Sequence, residues 1–130
     1  MKAVIVITRS EFVQGRKQDK NGLFMAKNLF ERGIDVVGII LSPDSLYELT
    51  NYIKYALDRS DLVFISGGLG PTTDDNTRLA VSQALGVPLI YSEEWLNKIK
   101  SYYKENNIEI TEERKSMAKI PYGSVIIENP

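Results

Sequence analysis

The stretch Ser66-Gly67-Gly68-Leu69-Gly70-Pro71-Thr72-Thr73-Asp74-Asp75-Asn76-Thr77 puts three glycines and two adjacent carboxylates into one turn. The apolar run Leu62-Val63-Phe64-Ile65 precedes it, and a helical-looking stretch, Arg78 to Leu85, follows. A buried strand that feeds a glycine-rich turn and opens a helix aims backbone N–H groups and a helix N-terminus at one spot. That geometry suits a phosphate. Ser66, Gly67, Gly68, Leu69 and Gly70 are the candidate phosphate-binding residues. Phosphate and the carboxylates of Asp74 and Asp75 repel, so the combination points to a bridging metal ion or to a reaction that develops positive charge. The same glycines also suit a tight strand-to-helix turn without any ligand. Thr77 either donates to a phosphate or satisfies the first helical turn. Asp75 is placed to cap the helix, a role compatible with chemistry in one and the same carboxylate. Asp74 reads as a neighbour of the site.

Two absences narrow the chemistry. The 130 residues contain no cysteine and no histidine. Disulfides, thiolate nucleophiles and Cys- or His-ligated metals are excluded, as is Ser-His-Asp catalysis. Ser66 has no base partner and is not a nucleophile. Carboxylates, hydroxyls, Lys, Arg, backbone amides and a hard cation are what remain. The net charge of −1 gives no nucleic-acid footprint. No apolar stretch approaches the roughly 20 residues of a membrane span. The opening Met1–Thr8 is too short in its apolar part, and too soon followed by Arg9 and Glu11, to be a signal peptide, so it reads as a first strand. The expectation is a cytoplasmic, single-domain protein.

The elements that would position the turn alternate from the start of the chain. Ala3–Thr8 is a buried strand, and Arg9–Lys20 a polar loop. Asn21 is placed to cap a helix over Gly22–Arg32 with Leu23, Ala26, Leu29 and Phe30 on one face. Ile34–Leu41 is a strand rich in Val and Ile. Ser45-Leu46-Tyr47-Glu48 reads as a capping box for a helix to about Arg59 that buries Leu46, Leu49, Ile53, Ala56 and Leu57. Asp61–Ser66 leads into the glycine turn, and the Thr77–Leu85 helix stops at Gly86. Val87–Ile90 is a short strand. Ser92 caps an amphipathic helix whose Trp95, Tyr102 and Tyr103 read as core or subunit contact. Thr111 begins a further short helix and Ser124–Ile127 a last strand. This rhythm predicts a three-layer α/β/α domain with a mostly parallel sheet. Its ligand crevice then lies beyond the carboxyl ends of the strands, where the loops 9–20, 42–45 and 67–77 converge.

The turn Gly67–Thr77 closely resembles the G-G-L-G-P-T-x-D-D-x-T signature of the CinA family's N-terminal domain, which is similar to the molybdopterin-binding fold of MogA, MoaB and gephyrin. Further matches run over nearly the whole chain. Glu11, Gly15, Asp19 and Asn21 fit the family's E-L-L-x-G…D-x-N segment, and Asp44 its aspartate after the second strand. Arg59, Asp61, Leu62 and Val63 fit its R-x-D-L-V lead-in. Ala118, Pro121, Gly123, Asn129 and Pro130 fit its A-x-x-P-x-G…N-P end. A motif this long is specific where a lone Gly-Gly is not. The chain departs at Thr8-Arg9-Ser10, which lacks the usual Gly-Asp, and at Lys20, where Thr is usual. The family continues past the Asn-Pro with a G-x-A-P-G stretch that these residues do not contain. The expectation is one CinA-N-terminal-like domain over residues 1–130 without that continuation.

The resemblance implies a domain that binds a nucleotide or a pterin phosphate, with no nucleic-acid or membrane partner, and that forms a dimer or trimer. It implies that Asp44 and Asp75 are catalytic and hold Mg²⁺ or a similar divalent ion. Glu11, Asp19, Asn21 and Asp74 are implied as substrate or loop contacts, with Asp19 a metal or ribose contact; apart from the resemblance, Asn21 reads as a simple helix cap. The implied reaction attacks a phosphoanhydride, as a metal-dependent ADP-ribose pyrophosphatase or as a molybdopterin adenylyltransferase. A non-catalytic binding module is the alternative outside enzymology.

Overall fold

The computed structural model describes residues 1–128. Asn129 and Pro130, matched above to the family's end, lie outside the described residues. The central strand β1, Lys2–Thr8, is apolar on both sides, and every residue from Ala3 to Thr8 is buried. A strand of that composition belongs in the middle of a parallel sheet covered on both faces. It pairs in parallel with β2, Asp35–Ser42, and with β3, Leu62–Ser66, in the order β2-β1-β3.

Alternation along β1 assigns the two layers. Ala3, Ile5 and Ile7 pack with Leu29, Met25 and Ala26 of helix α2, Asn21–Glu31. Val4 and Val6 face the other way, onto Leu49, Ile53 and Ala56 of α3, Leu46–Arg59, and Ala80 of α4, Thr77–Leu85. A register shift between Ala3 and Val4 marks a bulge against β2. β2 is an edge strand, and its Val37, Ile39 and Leu41 are exposed. Beyond this sheet, β4, Leu89–Tyr91, and β5, Lys119–Pro121, form an antiparallel pair. Between them run α5, Glu93–Glu105, a short α6, Glu112–Lys115, and a 3-10 turn, Ser116–Ala118. No helix is long and apolar enough to cross a membrane among the described residues.

Several local expectations are corrected. The polar segment 9–20 is not wholly loop, since Ser10–Val13 forms one helical turn, α1. Asn21 does not cap α2. Asp19 does, accepting from the Gly22 amide through both carboxylate oxygens at 3.1 Å. The sheet-facing arc of α2 centres on Gly22, Met25, Ala26 and Leu29, so Leu23 and Phe30 fall about a quarter turn off it and are exposed. Leu57 is exposed for the same kind of reason on α3. Ser45 does cap α3, accepting from Glu48 N at 3.3 Å. The reciprocal half of the capping box is not made, because Ser45 N donates to the Pro43 carbonyl at 2.8 Å. β4 starts late because Val87 is held in the α4 terminus, its N–H on Ser82 O at 3.0 Å and its carbonyl on the Ser82 hydroxyl. Residues 124–127 form no strand. Ser124 N closes a turn onto the Pro121 carbonyl, and β4 has already paired with Lys119–Pro121.

Candidate functional site at the carboxyl ends of the strands

The three parallel strands end on the same side of the sheet, and a cavity of about 310 Å³ opens there. From β1 come Thr8 and Arg9, followed by Glu11 and Phe12 on α1. Asp44 follows β2. Ser66, Gly67, Gly68, Leu69 and Gly70 follow β3, with Asp74 and Asp75 further along the same turn and Asn21 at the start of α2. Ten of the sequence-derived residues therefore meet in one place. Asp19 and Thr77 do not line the cavity, since each is engaged in local structure.

The glycine turn is built by close approach. Gly67 has φ +98° and Gly68 φ +70°. A side chain on Gly67 would run into the Thr8 carbonyl oxygen, and one on Gly68 into the Thr77 hydroxyl. Both positions therefore require glycine twice over, by backbone conformation and by space. Thr77 is buried. Its hydroxyl donates to Gly67 O at 2.7 Å and its N–H to Gly68 O at 3.2 Å. Arg78 clamps the turn from the same helix, donating to Leu69 O at 2.6 Å and Gly70 O at 3.1 Å.

The two principal aspartates are fixed by different neighbours. Asp44 and Ser10 bond reciprocally: Ser10 N donates to Oδ2 at 3.2 Å, and Asp44 N donates to the Ser10 hydroxyl at 3.0 Å. The buried Thr8 hydroxyl lies 3.4 Å from Oδ1. Asp75 instead accepts from the Thr72 amide at 2.9 Å and the Thr72 hydroxyl at 2.8 Å. It does not cap α4, whose N-cap residue is Asn76. Burial pushes the Asp75 carboxyl up, but the Thr72 bonds, the Gly70 amide and the Arg78 charge together hold it below the usual carboxylate range. Arg78 is itself lowered by burial, with Asp75 opposing the change.

The charge balance of the cavity is uneven. Glu11, Asp44, Asp74 and Asp75 face it against a single guanidinium, that of Arg9. Glu11 lies between Arg9 at 3.6 Å and Arg16 at 3.9 Å. No three carboxylates converge tightly enough to cage a metal ion by themselves among the described residues. One or two carboxylates completed by ligand phosphates and water is nonetheless how Mg²⁺ is ordinarily bound. Asp44 and Asp75 fit that partial role, not an all-protein site.

Sequence reasoning missed Thr8, Arg9, Ser10 and Arg78. Arg78 carried a signal: a cation in the first turn of a helix opposes the macrodipole and needs another reason to be there. Of the two roles expected for Trp95, Tyr102 and Tyr103, core or subunit contact, the first does not hold: Trp95 and Tyr103 are half-buried and Tyr102 is exposed. With Ile99 and Met117 they line a separate surface groove along α5.

The fold of this chain is shared with molybdopterin-biosynthesis proteins. MoaB from Thermus thermophilus superposes with a TM-score of 0.59 over 77% of this chain and 62% of that one, at 20% identity, a likeness of fold alone. The chain belongs to the family described as "probable molybdopterin binding domain", whose model matches residues 4–127. Within it the similarity is to CinA proteins. The crystal structure of CinA from Thermoplasma acidophilum, described as of unknown function, gives a TM-score of 0.91 at 35% identity, covering 99% of this chain and 75% of that one. A CinA-like protein of Sulfurihydrogenibium sp. (strain YO3AOP1) is 84% identical over all 130 residues. The chain spans 32% of that relative's length.

Proposed function

We propose that the cavity binds a phosphorylated nucleotide or pterin and that, with a divalent cation, it hydrolyses the phosphoanhydride of ADP-ribose to AMP and ribose 5-phosphate. The single observation behind this reading is the meeting of the Gly67–Gly70 turn with Asp44 and Asp75 in one cavity. The turn offers backbone dipoles to the phosphates, and the two aspartates offer oxygens to the cation that accompanies them. That cation, when bound, offsets the charge on the phosphoryl oxygens. Arg78 keeps the turn in shape through the Leu69 and Gly70 carbonyls, and the Ser10 N–H and hydroxyl hold the Asp44 carboxylate and amide in place. In hydrolysis a water oxygen bonds to one phosphorus, the bridging oxygen leaves with the other, and the water proton passes to solvent or to a cavity carboxylate. A homo-oligomer belongs to this reading, consistent with the open β2 edge.

One observation favours binding without turnover. Both aspartates already accept hydrogen bonds from neighbouring residues. Thermal unfolding of the chain with ADP-ribose, ATP, AMP or molybdopterin, with and without Mg²⁺, separates the readings when products are analysed in parallel. A ligand at a hundred times its dissociation constant should stabilise the fold by about 2.7 kcal/mol. A Mg²⁺-dependent shift with AMP and ribose 5-phosphate formed supports hydrolysis. A shift without products supports the binding module. No shift with any of the four rejects both.

A further inference from the structure

We infer that Arg9 is the phosphate-gripping side chain of the cavity, a role that rests on the phosphate reading above. Among the described residues it is the one basic group lining the cavity, facing four carboxylates. A phosphorylated ligand entering there meets net repulsion everywhere except at the backbone dipoles of the glycine turn and at this guanidinium. An arginine fork takes two phosphate oxygens in parallel, which a point charge does not.

The backbone of Arg9 is rigidly placed while its head is free to act. Arg9 extends the buried central strand, with φ −164° and ψ 124°, and its N–H donates to Ser42 O at 3.0 Å. The residue is thus pinned between the ends of β1 and β2, next to Asp44. Its side chain, by contrast, is 56% exposed and makes only loose contacts. The Glu11 carboxylate is 3.6 Å away and the Phe12 ring centroid 5.9 Å. Exposed pairs of this kind hold weakly. Arg16 also reaches Glu11, at 3.9 Å, so Arg9 can swing onto a ligand without leaving that carboxylate unpaired. The Glu11 pair is thus a resting position for Arg9, and the phosphate its working one.

Isothermal titration calorimetry with ADP-ribose and Mg²⁺ tests this on the whole chain, with adenosine as the phosphate-free probe. Arg9→Gln should weaken ADP-ribose binding at least tenfold and leave adenosine binding within twofold. Arg9→Lys should recover part of the loss. Arg16→Gln, which also removes a partner of Glu11 but lies outside the cavity lining, should bind ADP-ribose as the unaltered chain does. The salt dependence of ADP-ribose binding should flatten in Arg9→Gln, because one ion contact is gone. ADP-ribose binding by Arg9→Gln within twofold of the unaltered chain would overturn the inference while sparing the phosphate reading. Equal losses for ADP-ribose and adenosine would also overturn it, as the mark of a merely structural role. Failure of the unaltered chain to bind ADP-ribose would sink the phosphate reading itself, and Arg9's role with it.

Discussion

The two aspartates of the cavity stand on walls of opposite construction. Asp75 is held from within its own turn, by Thr72 three residues away. Asp44 is held across the sheet, by Ser10 thirty-four residues away. The first wall is a local object, folded by glycines and closed by Thr77 and Arg78 of the helix it opens. The second exists only once β1 and β2 have paired and brought their ends together. Disturbing the first should therefore act through backbone shape, and disturbing the second through the docking of two segments.

The largest effect is expected where local shape has no alternative. Gly67→Ala forces a side chain into a left-handed backbone region and against the Thr8 carbonyl. Such strain costs about 1–3 kcal/mol, which for a domain of this size lowers the melting temperature by roughly 3–15 °C. Because Thr8 also supports Asp44, the damage should cross to the other wall and abolish ADP-ribose binding. Circular-dichroism melts and calorimetry measure both. A variant that melts like the unaltered chain and still binds would show that the turn tolerates reshaping and that the contrast between the walls is overdrawn.

A smaller effect is expected from loosening each wall at its polar tie. Ser10→Ala removes the acceptor of the half-buried Asp44 amide, at a cost of about 1 kcal/mol, and loosens the loop that carries Asp44, while the Ser10 N–H still reaches its carboxylate. Thr72→Val removes one bond to Asp75 but keeps the Thr72 amide in place, and the site is more exposed. Chemical denaturation should therefore show a clear loss for Ser10→Ala and a smaller one for Thr72→Val. The Mg²⁺-dependent part of ligand binding should follow the same order. A larger loss for Thr72→Val would reverse the assignment of which aspartate depends more on its support.

The same contrast accounts for what was legible in the sequence. Local signals were read directly: the apolar run of β1, the glycine turn, the Ser45, Ser92 and Thr111 caps. Each is written in the types of consecutive residues, even where, as in β1, distant elements complete the burial. Ser10 and Arg9 were invisible because a polar residue in a polar segment says nothing until β1 and β2 place it beside Asp44. Asp19 was read through the family resemblance as a ligand contact, and its bonds to the Gly22 amide at the start of α2 were not foreseen, since the spacing Asp19 to Gly22 serves either purpose. Leu23, Phe30 and Leu57 were placed in the core because helical periodicity gives a stripe but not the arc that the sheet covers. The strand expected at 124–127 has the right composition, but the turn that Ser124 closes onto Pro121 leads those residues away from the β4–β5 pair without entering either sheet.

The smallest effect expected is a titration, and it isolates the local wall. The Asp75 carboxyl lies below its ordinary value of 3.8 when folded. Burial works against this, and the Thr72 bonds, the Gly70 amide and Arg78 prevail over it. A carboxyl lowered on folding adds stability above its unfolded value and loses it as pH falls through the folded one. Stability conferred by Asp75 is therefore complete at neutral pH and fades below about pH 4. Asp75→Asn keeps an acceptor for Thr72 but has no charge to lose. The stability gap between the unaltered chain and Asp75→Asn should shrink as pH is lowered from 6 to 3. Solvent screening keeps the change small, so paired denaturation curves at each pH are needed to see it. The same gap at pH 3 and pH 6 would mean that Asp75 contributes through hydrogen-bond shape alone, leaving its charge uncommitted to the turn and available to a ligand-borne cation.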